Sequence, residues 1–118
     1  MITDKNYLEQ YDKDQKRNIK ELLALMIHNP DLPVVCQIDA CGMEDYCQVW
    51  LASIGSSRVV EYIAVDMNAG VPESVFKGET GYYENFLRNT KGMTDQEVKE
   101  HIDNIDWIKA ILVDIDIA

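Results

Sequence analysis

The chain has 118 residues, 47% of them hydrophobic, with 21 Asp and Glu against 11 Lys and Arg, a formal net charge of -10. That length and apolar share suit one globular domain spanning residues 1–118, and the charge argues against direct nucleic-acid binding, because a duplex carries about one negative charge per 1.7 Å and selects basic grooves. No run approaches the ~18 apolar residues that a membrane helix needs, and Met1 leads into Thr3, Asp4, Lys5 and Asn6 rather than a basic and then apolar signal segment. A cytoplasmic protein without a membrane partner is the expectation.

The first element is a helix. Ile19, Leu22, Leu23, Met26 and Ile27 recur at three- and four-residue steps, while Lys16, Arg17, Lys20 and Glu21 take the other positions. Pro30 and Pro33 end it. Leu8, Tyr11 and Gln15 lie in step with Ile19, which lets the helix begin as early as Thr3. Lys5-Asn6 and Asp12-Lys13-Asp14 are polar enough for residues 1–14 to form a frayed arm instead.

Beyond Pro33 the vocabulary turns β-branched and aromatic, and three strands are predicted at Val34–Ile38, Tyr46–Ile54 and Arg58–Met67. Gly55-Ser56 reads as a tight hairpin turn pairing the second and third antiparallel, since glycine accepts the positive φ that such turns demand. The loop Asp39–Asp45 joins the first strand to the second. Gly70, Pro72, Gly78 and Gly81 mark an irregular stretch. A short helix through Tyr83, Phe86 and Leu87, capped by Thr80, follows.

Thr94-Asp95-Gln96-Glu97 is a capping box opening another helix, in which Val98, Ile102 and Ile105 share one face and Gln96, Glu100 and Asp103 point away. The chain closes on Ile111–Ile117, whose period of two puts Ile111, Val113, Ile115 and Ile117 on one side of a strand and Asp114 and Asp116 on the other. The predicted fold is α+β, in chain order α-β-β-β-α-α-β, with an antiparallel sheet of about four strands and helices packed on one face.

The acids supply the main candidate site. Between Asp95 and Asp116 stand Asp95, Glu97, Glu100, Asp103, Asp106, Asp114 and Asp116 against Lys99 and Lys109, half the net charge in 22 residues. A domain of this length is roughly 30 Å across, over which a duplex presents on the order of 18 charges, so imitation of nucleic acid requires the acids to cluster. Glu97, Glu100, Asp103, Asp106, Asp114 and Asp116 are therefore the candidate partner-binding residues. Asp39, Glu44 and Asp45 offer a secondary acidic rim, and Tyr82 and Tyr83 beside Gly81 offer aromatic anchors. Against this stands ordinary solvated surface, with Asp95 and Glu97 favouring the positive end of their helix and Asp95 pairing with Lys99.

Other chemistry is weakly encoded. Asp114 and Asp116 with a third carboxylate such as Asp66 have the ligand type for a divalent ion, although a polar outer sheet face explains them more simply. Cys36, Cys41 and Cys47, spaced C-x4-C-x5-C, match neither a paired disulfide framework nor a zinc knuckle and read as reduced thiols. A nucleophilic Cys41–His101 pair, or the divalent site above, would make the chain a thiol- or metal-dependent enzyme, the third and least favoured reading, and neither histidine has a sequence-adjacent partner. His28 sits at a helix end, where a cation suits the dipole. Trp50, Trp107, Tyr46 and Tyr62 read as core or half-core. No metal or other cofactor is expected, nor is an enzyme.

Asn29-Pro30-Asp31-Leu32-Pro33-Val34-Val35 after a leading helix, Trp50-Leu51-Ala52-Ser53-Ile54-Gly55-Ser56 before a Glu61-Tyr62 strand, and the closing Trp107-Ile108-Lys109-Ala110-Ile111-Leu112-Val113 resemble a group of small acidic proteins of Firmicutes prophages and mobile elements. The likeness runs from about residue 20 to the end. This chain differs in having Ala52 where the group tends to have Gly, and in its Cys41-Gly42 loop. The resemblance implies a genomic setting rich in inhibitors of bacterial defence, anti-CRISPR proteins among them. The resulting expectation is a non-enzymatic inhibitor whose acidic surface occupies a basic nucleic-acid site on a host defence nuclease. The alternative is a phage accessory protein that forms a homodimer through a strand edge or a tyrosine-bearing surface, its charge serving solubility.

Overall fold

A computed structural model describes residues 5–38, 52–68 and 70–117. They form α1 (Lys5–His28), β1 (Val34–Ile38), β2 (Ala52–Asn68), β3 (Val71–Phe76), α2 (Gly81–Asn89), α3 (Asp95–Asp103) and β4 (Ile108–Ile117). The fold is α+β in the predicted chain order. The four strands lie in the order β1-β4-β2-β3, and the sheet is mixed rather than antiparallel, because β1 and β4 run parallel with Val34 opposite Ile111 and Ile38 opposite Ile115. The chain divides into two compact units, one made of residues 1–59 and 110–118, the other of residues 60–109.

In the first unit α1 is continuous from Lys5, so residues 5–14 are helix rather than arm. Lys16 pairs with Asp12 at 2.8 Å and Gln10 donates to Asp14 at 2.9 Å, both one turn apart. Tyr11, Gln15, Asn18, Leu22 and Leu25 recur at steps of four and three, and all are half-buried. Their polar members dock on β2: the Tyr11 hydroxyl donates to the Ala52 carbonyl at 2.8 Å and Asn18 Nδ2 to the Ile54 carbonyl at 2.9 Å, while the Ile54 N–H donates to Gln15 Oε1 at 3.2 Å. These contacts rotate the packed face away from the predicted apolar stripe. Leu23, Met26 and Ile27 are left exposed. His28 Nδ1 donates to the Ala24 carbonyl at 2.7 Å and Asn29 Nδ2 to Leu25 at 3.0 Å, closing the last turn before Pro30.

Two strand predictions are corrected in this unit. Gly55-Ser56 is no turn, because β2 runs unbroken through it. A Cβ at Gly55 would stand 2.8 Å from the Asp114 backbone oxygen and 2.5 Å from Asp116 Oδ2, so the glycine serves close approach of two strands rather than positive φ. Ala110, Ile111, Leu112 and Val113 are all buried, at 0, 0, 2 and 0% exposure. The predicted one-sided alternation therefore fails at Leu112, since a strand paired parallel in a sheet interior is covered on both faces.

The second unit opens with the other half of β2, which pairs antiparallel with β3, Tyr62 opposite Phe76 and Val65 opposite Glu73. The segment expected to be irregular thus holds a strand, and the true turn precedes it. Gly70 takes φ +88° there, and the Asp66 carboxylate accepts its N–H at 3.0 and 3.1 Å. Pro72 is tolerated because β3 ends the strand order and an edge strand can spare an N–H. Val75, Tyr83, Leu87 and Val98 form the core, packed by Ile63, Val65, Met67, Phe86, Met93, Ile102, Ile105 and Trp107. Thr94 and Glu97 make the reciprocal capping box as predicted. Thr80 precedes α2 without capping it through its side chain, and its hydroxyl donates instead to Glu84 Oε2 at 2.9 Å.

Candidate functional site: the acids of the α3 segment

The second unit carries ten acidic against five basic residues, a net charge of -5. Five of those acids, Asp95, Glu97, Glu100, Asp103 and Asp106, fall on α3 and the turn after it, and every one is exposed. The helix period explains why. Val98 and Ile102, four apart, turn inward, which leaves Glu97, Glu100 and Asp103, each three apart, as one row slanting across the outer side. Lys99, also exposed, is the only Lys or Arg between Asp95 and Asp106, and His101 stands on the same helix.

Part of this charge is engaged locally. Asp95 Oδ1 receives Arg88 Nε from α2 at 2.8 Å, so its partner is Arg88 rather than the expected Lys99. Glu97 Oε1 accepts the Thr94 N–H at 3.2 Å, and Glu100 Oε1 accepts from Gln96 Nε2 at 3.0 Å. Glu97 and Glu100 line an open cleft of about 400 Å³ together with Met93, His101, Asn104 and Ile105. Asp103 lines a second, between Lys77 and Trp107.

The remaining predicted residues stand elsewhere. Asp114 and Asp116 belong to the first unit. Asp114 is a shared acceptor, taking Gln37 Nε2 at 2.8 Å, Ser56 Oγ at 3.0 Å and Arg58 at 3.3 Å, with its side chain 28% exposed. It is a cross-strand tie between β1, β2 and β4, and Arg58 already offsets its charge. Asp116 is exposed beside Gly55. The sequence hid this tie because it depends on register across three strands. Asp39, Glu44, Asp45, Cys41, Cys47, Tyr46 and Trp50 lie outside the described residues.

The tyrosine pair separates. Tyr82 is 66% exposed, as an anchor should be, whereas Tyr83 is 6% exposed and belongs to the core, which corrects its reading as a partner-facing residue. Successive helical positions differ by about 100°, which lets Tyr82 face outward while Tyr83 turns to the core. The Tyr83 hydroxyl lies 2.7 Å from His101 Nε2 on α3, and burial pushes its pKa above the ordinary value of 10.0. His101 is thereby engaged by a tyrosine. Asp66 serves the Gly70 turn, and among the described residues no three His, Cys, Asp or Glu side chains converge on a metal-sized site. Nor is any helix among them long and apolar enough to cross a membrane.

Comparison with protein-family models, with curated proteins and with solved structures finds no match to this chain.

Proposed function

We propose that this chain is a non-enzymatic, phage-encoded inhibitor of a bacterial nucleic-acid-targeting defence complex, acting in the host cytoplasm as an anti-CRISPR-like protein. Its acidic α3 segment occupies a basic nucleic-acid channel. The observation that carries the reading is the outward row Glu97, Glu100 and Asp103, extended by Asp106, on a unit whose net charge is -5. At ~1.5 Å rise per helical residue, the row presents one carboxylate per ~4.5 Å. That approaches the ~3.4 Å per charge of one nucleic-acid strand and falls well short of the ~1.7 Å of a duplex. The partner site it suits is a groove that holds a guide or a displaced single strand. Asp114 contributes less than the sequence suggested, because Arg58 pairs with it.

The test is a phage plating assay in a host that carries a defence nuclease with such a channel. Expression of the chain is expected to restore plating, and the triple variant Glu100→Lys, Asp103→Lys and Asp106→Lys to lose the effect while keeping the wild-type thermal midpoint. Glu97 is spared because it completes the capping box. Full protection by the triple variant would reject the acidic row as the inhibitory surface.

A further inference from the structure

The open cleft beside α3 joins charge to apolar surface. Glu97, Glu100, His101 and Asn104 stand at i, i+3, i+4 and i+7, so they form one continuous face of the helix and its last turn, and all four are exposed. Met93 and Ile105, half-buried against the core, supply the apolar lining. The His101 imidazole is held in place, because its Nε2 lies 2.7 Å from the hydroxyl of the buried Tyr83. Glu97 and Glu100 each commit Oε1 to a local bond, with the Thr94 N–H and with Gln96. Among the described residues Oε2 of each accepts none, and no Lys or Arg lines the cleft.

We propose that this cleft takes one arginine side chain of a partner protein, an inference that rests on the inhibitory reading for the source of that arginine. Charge and chemistry exclude the other occupants in turn. An anion meets two carboxylates. A neutral apolar side chain strips water from those carboxylates and returns no bond. A metal ion lacks its ligands, because among the described residues no three His, Cys, Asp or Glu side chains converge on one. A cation on an apolar stem fits both halves of the lining, its methylenes on Met93 and Ile105 and its head at the two Oε2 atoms. Arginine suits the site better than lysine. Its planar guanidinium stacks on a flat ring and forks to two acceptors at once, whereas an ammonium is a more strongly hydrated point charge. His101, fixed by Tyr83, supplies the ring, and Glu97 and Glu100, one turn apart, supply the acceptors. Arginines are also the groups with which a protein channel grips phosphates, so the cleft takes from the channel a side chain that the nucleic acid uses.

The experiment titrates the full chain with N-acetyl-argininamide, N-acetyl-lysinamide and N-acetyl-citrullinamide, followed through amide chemical shifts in two-dimensional NMR. Expected is saturable binding of the arginine probe with a Kd of ~1–10 mM, its shifts confined to residues 93–105 around the cleft. The lysine probe binds roughly threefold or more weakly, and the citrulline probe, uncharged and nearly the same shape, does not bind. Glu97→Gln with Glu100→Gln removes binding, while glutamine keeps the capping box because its side-chain oxygen still accepts the Thr94 N–H. Asp103→Asn with Asp106→Asn leaves the Kd within about twofold. His101→Ala brings the arginine probe down to the level of lysine. No saturation up to about 50 mM, equal affinity for arginine and lysine, or equal loss in the two double variants would overturn the proposal. The titration contains no nuclease. A chain that binds the arginine probe and never restores plating rejects the inhibitory reading alone, and one that restores plating without binding the probe rejects the arginine cleft alone.

Discussion

Gly55→Ala tests the closest approach in the first unit. The added Cβ would lie 2.5 Å from Asp116 Oδ2, 3.0 Å from Asp116 Cγ and 2.8 Å from the Asp114 backbone oxygen. The Asp116 carboxylate can swing aside about its side-chain torsions. The Asp114 oxygen belongs to the backbone of β4 and moves only with the strand, so β2 and β4 must separate locally. Overpacking of this kind costs ~1–3 kcal/mol, while replacing glycine by alanine gains ~0.4–1 kcal/mol by restricting the unfolded chain. The steric term wins, leaving a net loss of about 1–2 kcal/mol. Thermal and urea unfolding measure it, with an expected fall of roughly 3–10 °C in midpoint for a chain of this size. In a double-mutant cycle with Asp116→Ala the loss should be partly relieved, because one of the two obstructing groups is gone while the backbone oxygen remains. Stability equal to or above wild type would refute the reasoning. Strict additivity with Asp116→Ala would show that Gly55 does not face Asp116.

Three further outcomes follow from the second unit. Because burial raises the Tyr83 pKa in the folded state above 10.0, the stability it contributes is complete below that value and is lost as pH rises through the folded value. Unfolding free energies measured from about pH 9 to about pH 12 should fall less steeply in Tyr83→Phe than in wild type, and parallel curves would contradict this. Val98→Ala, at a side chain with 0% exposure, should cost about 2–3 kcal/mol in urea unfolding through lost burial and the cavity left behind. Thr94→Ala removes the hydroxyl that accepts the Glu97 N–H at 3.2 Å and should cost ~1 kcal/mol, with helix content near α3 falling by circular dichroism.

Elements whose signals are local were legible in the sequence. The capping box fixed the start of α3 because both partners lie within four residues, and Pro30 ended α1 because its ring cannot continue a helix. The alternation at Asp114 and Asp116 marked a strand. Signals that depend on distant pairing were not legible. A strand glycine has two meanings, turn or close approach, and only the position of β4 decides between them at Gly55. Parallel pairing of β1 with β4 leaves no mark beyond the apolar run Ala110–Val113, which a buried helix shares. Leu23, Met26 and Ile27 counted as core by their spacing, yet Gln15 and Asn18 set the docking face because the β2 backbone supplies hydrogen-bond partners there. For the site, the outward direction of Glu100 and Asp103 was legible from helical period. The division of the six predicted acids between two units was not, since 22 residues of sequence proximity say nothing about which unit a strand joins.

In the proposed function the α3 acids compete with nucleic acid for a basic groove. The direct measurement is fluorescence anisotropy of a labelled target strand on a purified, guide-loaded defence nuclease, titrated with the chain at low and at physiological salt. Wild type should displace the strand, and displacement should weaken as salt rises. The Glu100→Lys, Asp103→Lys and Asp106→Lys variant should fail at both ionic strengths. Displacement that is equal for the two proteins, or indifferent to salt, would contradict the claim.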